Sequence, residues 1–223
     1  AAPPDAGEPA VSSPASLPLE IFESAQDGEL QKVVKWLGKG GLVDALCSAP
    51  TIDGRASTVG LLHAAASNDH LEIVRELLKR GASVDLQTSL GGTALMAAAL
   101  QGHLYSLLVL LQHSASTDLQ DNNGGTALMS AAYQGQGACV QALLRAKANT
   151  QLLDKNGRAA LHWAEREGHT AIAELIRQPA ATVEAMQAEQ AAKAARADAA
   201  MEELLAEEAA EQAKAQAPSK KSK

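Results

Sequence analysis

Six histidines, two cysteines and two Gly-Gly pairs are the residues with which this chain could do chemistry. Histidine and cysteine hold zinc when three or four ligands converge, and short sequence spacings usually betray such a site. His63, His70, His103, His113, His162 and His169 show no such spacing. Cys47 and Cys139 stand 92 residues apart, and neither belongs to a C-x-x-C pair. No G-x-S-x-G marks a nucleophilic serine. Gly91–Gly92 and Gly124–Gly125 are each followed by Thr-Ala rather than by the Lys-Ser/Thr of a phosphate-binding loop. They read instead as turns that need positive φ. No catalytic constellation, metal site or cofactor site is therefore expected.

The same residues do obey a spacing of another kind. From His63, steps of 33 reach Met96, Met129 and His162. Ala65, Ala98, Ala131 and Ala164 form a second column, and Leu77, Leu110, Leu143 and Ile176 a third. A period of this length marks a stack of repeated supersecondary units. Each copy predicts one helix after "GLLH", "TALM", "TALM" or "AALH", and a second after a turn at Asp69, Gly102, Gly135 or Gly168. In "HLEIVRELLKRG", Leu71, Val74, Leu77 and Leu78 share one helical face. "LQTSLGG", "LQDNNGG" and "LLDKNGR" supply turns between copies. Cys139 aligns with Ile73 and Ile172, so it reads as a small buried hydrophobe. Cys47 falls in extra sequence between two copies and is expected to be exposed.

"HAAASNDHLEIVRELLKRGASVDLQ" from His63 and "DNNGGTALMSAAYQGQ" from Asp121 carry a family resemblance. The chain resembles ankyrin repeats, with their D-x-x-G-x-T-P-L-H-x-A-A-x-x-G-H pattern, over about residues 19–178. The resemblance implies an all-α solenoid of helix-turn-helix units with short β-hairpin loops. Five repeats are expected, at about 19–54, 55–87, 88–120, 121–153 and 154–178. In such repeats His63 and His162 would tie a turn together, and His70, His103 and His169 would sit at the start of the second helix. His113 lies near a repeat end and is expected to be exposed. The departures are specific. Leu61, Ala94, Ala127 and Ala160 occupy the Pro slot, where Pro is favoured but not required. Between copies one and two, "LCSAPTIDGRAS" adds eight residues, read as a longer loop. In copy five, Glu165 replaces the packing alanines Ala66, Ala99 and Ala132, which suits an end facing solvent or another segment.

Outside the repeats the composition changes. Residues 1–18 read as a disordered segment without the apolar core of a signal peptide. With no initiator Met, the chain reads as a fragment or a processed form. Residues 179–217 are rich in Ala, Glu, Gln and Lys, strong helix formers; a helix there would span roughly 55 Å. Sustained heptads are absent, which argues against a long coiled coil. Val183 and Met186 are expected to cap the open face of copy five, leaving Met201, Leu204 and Leu205 free or available for docking. Residues 218–223 form a basic tail.

Bulk composition excludes several functions. Apolar residues make up 46% of the 223, yet aromatics only 2%, so Ala and Leu must do the burying. A β-sandwich would want more β-branched and aromatic residues. A net charge of −7 argues against general affinity for nucleic acid. No apolar run reaches the roughly 18–20 residues that span a bilayer. Two unpaired cysteines suggest a reducing, intracellular compartment, cytoplasmic or nuclear.

What remains is recognition. In the architecture that the resemblance implies, residues just after the T-P-L-H slot line a concave face. One row holds Ala64, Ala97, Ser130 and Trp163. A second holds Ser67, Leu100, Tyr133 and Arg166, and a third Asn68, Gln101, Gln134 and Glu167. Leu100, Tyr133 and Trp163 would make an apolar ridge beside the Gln101 and Gln134 amides. Leu90, Asn122, Asn123, Lys155, Asn156 and Arg158 would extend it at the loop tips. The expected function is a non-enzymatic protein-interaction module, monomeric apart from any contact of the C-terminal helix. The alternatives are the targeting part of a longer enzyme, or a nucleic-acid-associated protein using the basic "KKSK" end.

Overall fold

The computed structural model describes residues 16–50 and 56–178. Ten helices in five antiparallel pairs make up most of it: α1 (Leu19–Gln26) with α2 (Leu30–Gly38), α3 (Leu61–Ser67) with α4 (Leu71–Lys79), α5 (Ala94–Gln101) with α6 (Leu104–Gln112), α7 (Ala127–Tyr133) with α8 (Gly137–Arg145), and α9 (Ala160–Arg166) with α10 (Thr170–Arg177). First helices stack on first helices (α1, α3, α5, α7, α9), and second on second (α2, α4, α6, α8, α10). The result is a solenoid with one continuous apolar core between the two layers. The expected C-terminal helix at 179–217, its capping residues Val183 and Met186, and the basic tail lie outside the described residues.

Alanine sets the close approach of the inner layer. Ala65, Ala98, Ala131 and Ala164 are fully buried, as are Ala66, Ala99 and Ala132. Larger side chains there would hold the short helices apart. The Leu77–Leu110–Leu143–Ile176 column fills the space towards the outer layer and is likewise buried. Glu165, at the last alanine site, is exposed and pairs with Arg177 of α10.

Local chemistry starts and ends these helices. Thr93 Oγ1 accepts from the Met96 N–H at 3.3 Å, and Thr126 Oγ1 from the Met129 N–H at 3.2 Å. Both are N-caps of the kind worth about 1 kcal/mol. The turn between paired helices takes a left-handed residue in every copy: Gly28, Asp69, Gly102, Gly135 and Gly168.

Side-chain ladders then tie copy to copy. Asp44, Asp85 and Asp118 each accept, through Oδ1, a backbone N–H of the following copy (Ser83, Ser116, Asn149) at 2.8–2.9 Å. Gln87 Nε2 donates to Gln120 O at 3.3 Å, and Gln120 Nε2 to Leu153 O at 2.9 Å. Leu153 holds the next position and cannot extend the ladder. The histidines at the start of the second helices act similarly. His103 Nε2 meets Ser67 O and His169 Nε2 meets Tyr133 O, both at 3.2 Å, and His70 Nε2 meets Gln26 O. Because a carbonyl only accepts, each ring donates through Nε2–H.

Four expectations need correction. The inter-repeat tips are turns closed by two backbone hydrogen bonds each, such as Asp121 N to Gly125 O and Gly124 N to Asp121 O, both at 2.9 Å, and carry no strand pairing. Strand pairing occurs instead on either side of the extra residues between copies one and two, where β1 (Leu46–Pro50) and β2 (Ala56–Gly60) pair antiparallel. Cys47 on β1 is thereby buried, not exposed. Leu17, expected in a disordered segment, is buried, and its N–H donates to Leu46 O at 3.1 Å. Finally, the ring of His162 is exposed rather than tying its turn.

Only the first glycine of each Gly-Gly pair has positive φ. Gly91 and Gly124 both lie at φ +79, with the next tip pressed against them: a Cβ on Gly91 would stand 2.7 Å from Asn122 N, and one on Gly124 2.9 Å from Asp154 Cα. This close approach lets neighbouring tips pair, Asn122 N to Leu90 O and Lys155 N to Asn123 O, each at 2.9 Å.

Candidate functional site

Most of the histidine and cysteine side chains serve the structure. Cys139 is buried on α8, and burial pushes its thiol up to about 11. Burial, with Glu23 adding to it, also raises the Cys47 thiol. Neither is a ready thiolate nucleophile. His63 is half-buried, and burial pushes its ring down to about 4. His113 is exposed. Among the described residues no cluster of His, Cys, Asp or Glu is placed to hold a metal ion.

A cleft of about 710 Å³ opens where α7, α9 and the tips preceding them converge. Of the residues expected at a binding face, Leu100, Asn123, Tyr133, Lys155, Asn156, Arg158, Trp163 and Arg166 line it. The other four are exposed elsewhere. Gln101 and Gln134 lie at the ends of α5 and α7, and Leu90 at a tip. Asn122 is committed to stacking, since its Nδ2 donates to Ser89 O at 2.9 Å.

The expected rows emerge unevenly. Ala64 and Ala97 are buried, so the first row reaches the surface only at half-buried Ser130 and Trp163. Ser130 Oγ donates to Thr126 O at 3.1 Å, as a helix hydroxyl commonly does. Trp163 is the centre of the cleft. The Tyr133 ring meets it edge-on, with centroids 5.4 Å apart. The Arg158 guanidinium lies 4.0 Å from the indole centroid and that of Arg166 5.2 Å. Such contacts are worth roughly 0.5–1 kcal/mol each at exposed sites and hold the rings in place.

Two aspartates form the tips at the cleft's edge. Asp121 Oδ1 accepts from the N–H groups of Asn123 and Gly125 at 2.8 and 2.7 Å. Asp154 Oδ1 accepts from Asn156 N and Arg158 N at 2.8 and 2.9 Å, while its Oδ2 takes Arg158 Nε at 3.0 Å. Burial raises the Asp154 carboxyl, but the Arg158 and Asn156 N–H groups and the guanidinium outweigh it. The acid is held below its ordinary value. The rows drawn from helix spacing missed Asp121, Asp154 and Met129 as lining residues. The aspartates' signal was their shared place with Thr88, one step of 33 apart along the tips.

Fold and cleft together define a helical-repeat solenoid with one side-chain-variable face. The family model for ankyrin repeats, in blocks of three copies, matches residues 21–121 and 105–187. The chain belongs to the ankyrin repeat family, whose members are generally protein-protein interaction modules. No curated protein matches it. Among the described residues no helix is long and apolar enough to cross a membrane.

Proposed function

We propose that the chain is a non-enzymatic adaptor that captures a protein partner in the cleft around Trp163. One observation carries this reading. Half-buried Trp163 stands where other copies have Ala64, Ala97 and Ser130, exposed Tyr133 stands where they have Ser67, Leu100 and Arg166, and two guanidiniums hold the indole. Stacking alone requires no aromatic ring at either site, because Ala64, Ala97, Ser67 and Leu100 serve at the equivalent positions of other copies. Tyr, Trp and Arg dominate binding hot spots, where truncation costs about 2 kcal/mol or more. Two free, buried cysteines support an intracellular setting.

Quantitative capture of partners from lysate of the source cells tests the reading, with the Tyr133→Ala/Trp163→Ala variant beside wild type. The variant should lose about 30-fold or more in affinity while its melting temperature falls by only a few degrees. Leu107→Ala, whose side chain is fully buried on α6, should lower the melting temperature first. Equal recovery of the same proteins by the folded double variant would remove the cleft as the binding site.

A further inference from the structure

The charges of the cleft point to the chemistry of its ligand. Resting on the reading of the cleft as a binding site, we propose that it takes an extended peptide segment carrying an Asp or Glu carboxylate next to an apolar side chain. The apolar side chain packs on Trp163 and Tyr133, and the carboxylate lies against Arg166 and Lys155.

Several observations converge on a carboxylate. The acids on the cleft wall are turned inward. Asp154 is buried, neutralised by Arg158 and donated to by two backbone N–H groups. Asp121 is half-buried and accepts two backbone N–H groups of its own tip. The groups left facing solvent are mostly donors. Lys155 and Asn156 are exposed, and so is Arg166, whose side chain is 55% accessible. Among the described residues, Glu167 is the acid paired with Arg166, at 3.5 Å, and so positioned to compete. That contact is long and at the surface, so it contributes little, and an incoming bidentate carboxylate would outmatch it. A donor-lined pocket with an aromatic floor matches a ligand that offers both an acceptor and an apolar group.

The whole-chain charge favours a peptide over a polyanion. Nucleic acid running beyond the cleft would cross the surface of a chain with net charge −7, whereas a short acidic segment meets only the local cations. The cleft's volume of about 710 Å³ falls within the usual range for sites that enclose a few groups rather than a folded domain, about 300–1,000 Å³.

The test is selection of a random dodecapeptide library displayed on phage against the full chain, with counter-selection on Tyr133→Ala/Trp163→Ala. Recovered peptides should be enriched several-fold in Asp and Glu beside an apolar residue. Their synthetic forms should bind about tenfold more weakly to Lys155→Gln/Arg166→Gln, and more weakly still at high salt. Both substituted residues are exposed, so circular dichroism should show this variant folded. Peptides that need Trp163 but are neutral or basic would overturn the carboxylate and leave the binding site standing. Absence of any Trp163-dependent peptide would overturn both. A random single-stranded oligonucleotide that displaces the selected peptides at lower concentration would overturn the class of ligand.

Discussion

Leu143→Ala tests the register of the whole stack at one atom cluster. Leu143 is fully buried on α8, in the column that also holds Leu110 and Ile176. Truncation removes three carbons, and at about 0.8 kcal/mol per buried methylene the transfer term is about 2.5 kcal/mol. The flanking copies are fixed by the aspartate and glutamine ladders and cannot collapse fully into the gap, so a cavity term raises the loss to about 3–4 kcal/mol. In a nearest-neighbour solenoid that loss weakens two interfaces, α6–α8 and α8–α10. For a unit of this size, 1 kcal/mol moves the thermal midpoint by about 2–4 °C, which gives a fall of about 10 °C. Thermal and urea unfolding followed by far-ultraviolet circular dichroism reads it directly. Tyr105→Ala, at a site 69% exposed on α6, is the control and should stay within about 0.5 kcal/mol of wild type. If Leu143→Ala melts with wild type, the 33-residue column is out of register.

Two more outcomes follow from single positions. Gly91→Ala should cost about 1–2 kcal/mol or more, because it adds left-handed strain and a Cβ 2.7 Å from Asn122 N. Gly92→Ala meets only Thr88 Oγ1 at 3.4 Å and His63 Nε2 at 3.9 Å and should be far milder; equal urea midpoints for the two variants would refute the close approach of the tips. His63 carries a pH dependence. Its folded pKa is down at about 4 against an ordinary 6.5, so below pH 6.5 the unfolded chain binds a proton that the folded chain refuses. Stability from this group is full above that pH and falls towards pH 4 by up to about 2–3 kcal/mol. His63→Met, copying Met96 and Met129, should flatten this part of the urea-midpoint profile between pH 7 and 4; an unchanged slope would assign the effect elsewhere.

What could be read in advance divides along a physical line. The alanine and leucine columns were legible because each reports one local requirement repeated at 33 residues: close helix approach or a filled core. The place of His70, His103 and His169 at the start of the second helices followed from the family resemblance, whereas their reach to a carbonyl of the previous copy needed the stacked geometry. The β1–β2 hairpin was not legible. "LCSAP" and "ASTVG" are short, and their pairing depends on where the eight extra residues must fold back. Cys47 is buried by that same non-local pairing. Asn122 looked like a free amide because nothing in its own copy shows that Ser89 O, 33 residues earlier, takes its side-chain N–H. At the cleft, the Tyr133–Trp163 edge contact joins two copies and follows from the rows. The inward turn of Asp154, by contrast, needed the tip geometry.

Copy five departs from the repeat pattern in two directions, and geometry separates them. Copy five is the last of the described repeats, and loss of packing residues at a terminal copy is expected and says nothing of function. Glu165 is a departure of that kind. It stands at the alanine site where another copy would pack, and it is exposed and paired with Arg177. Ala159, where the inner copies have Thr93 and Thr126, forgoes the side-chain cap, and Leu153 ends the glutamine ladder. Trp163 and Arg158 are different. They belong to the same terminal copy, yet they face back along the stack towards Tyr133 of the preceding one. The place of copy five at the end of the described repeats cannot account for a large aromatic side chain on the side that faces copy four. A stack that only needed to end would relax its outward alanines and keep small residues facing the copy before. This chain relaxes both, and only the second change builds a cleft.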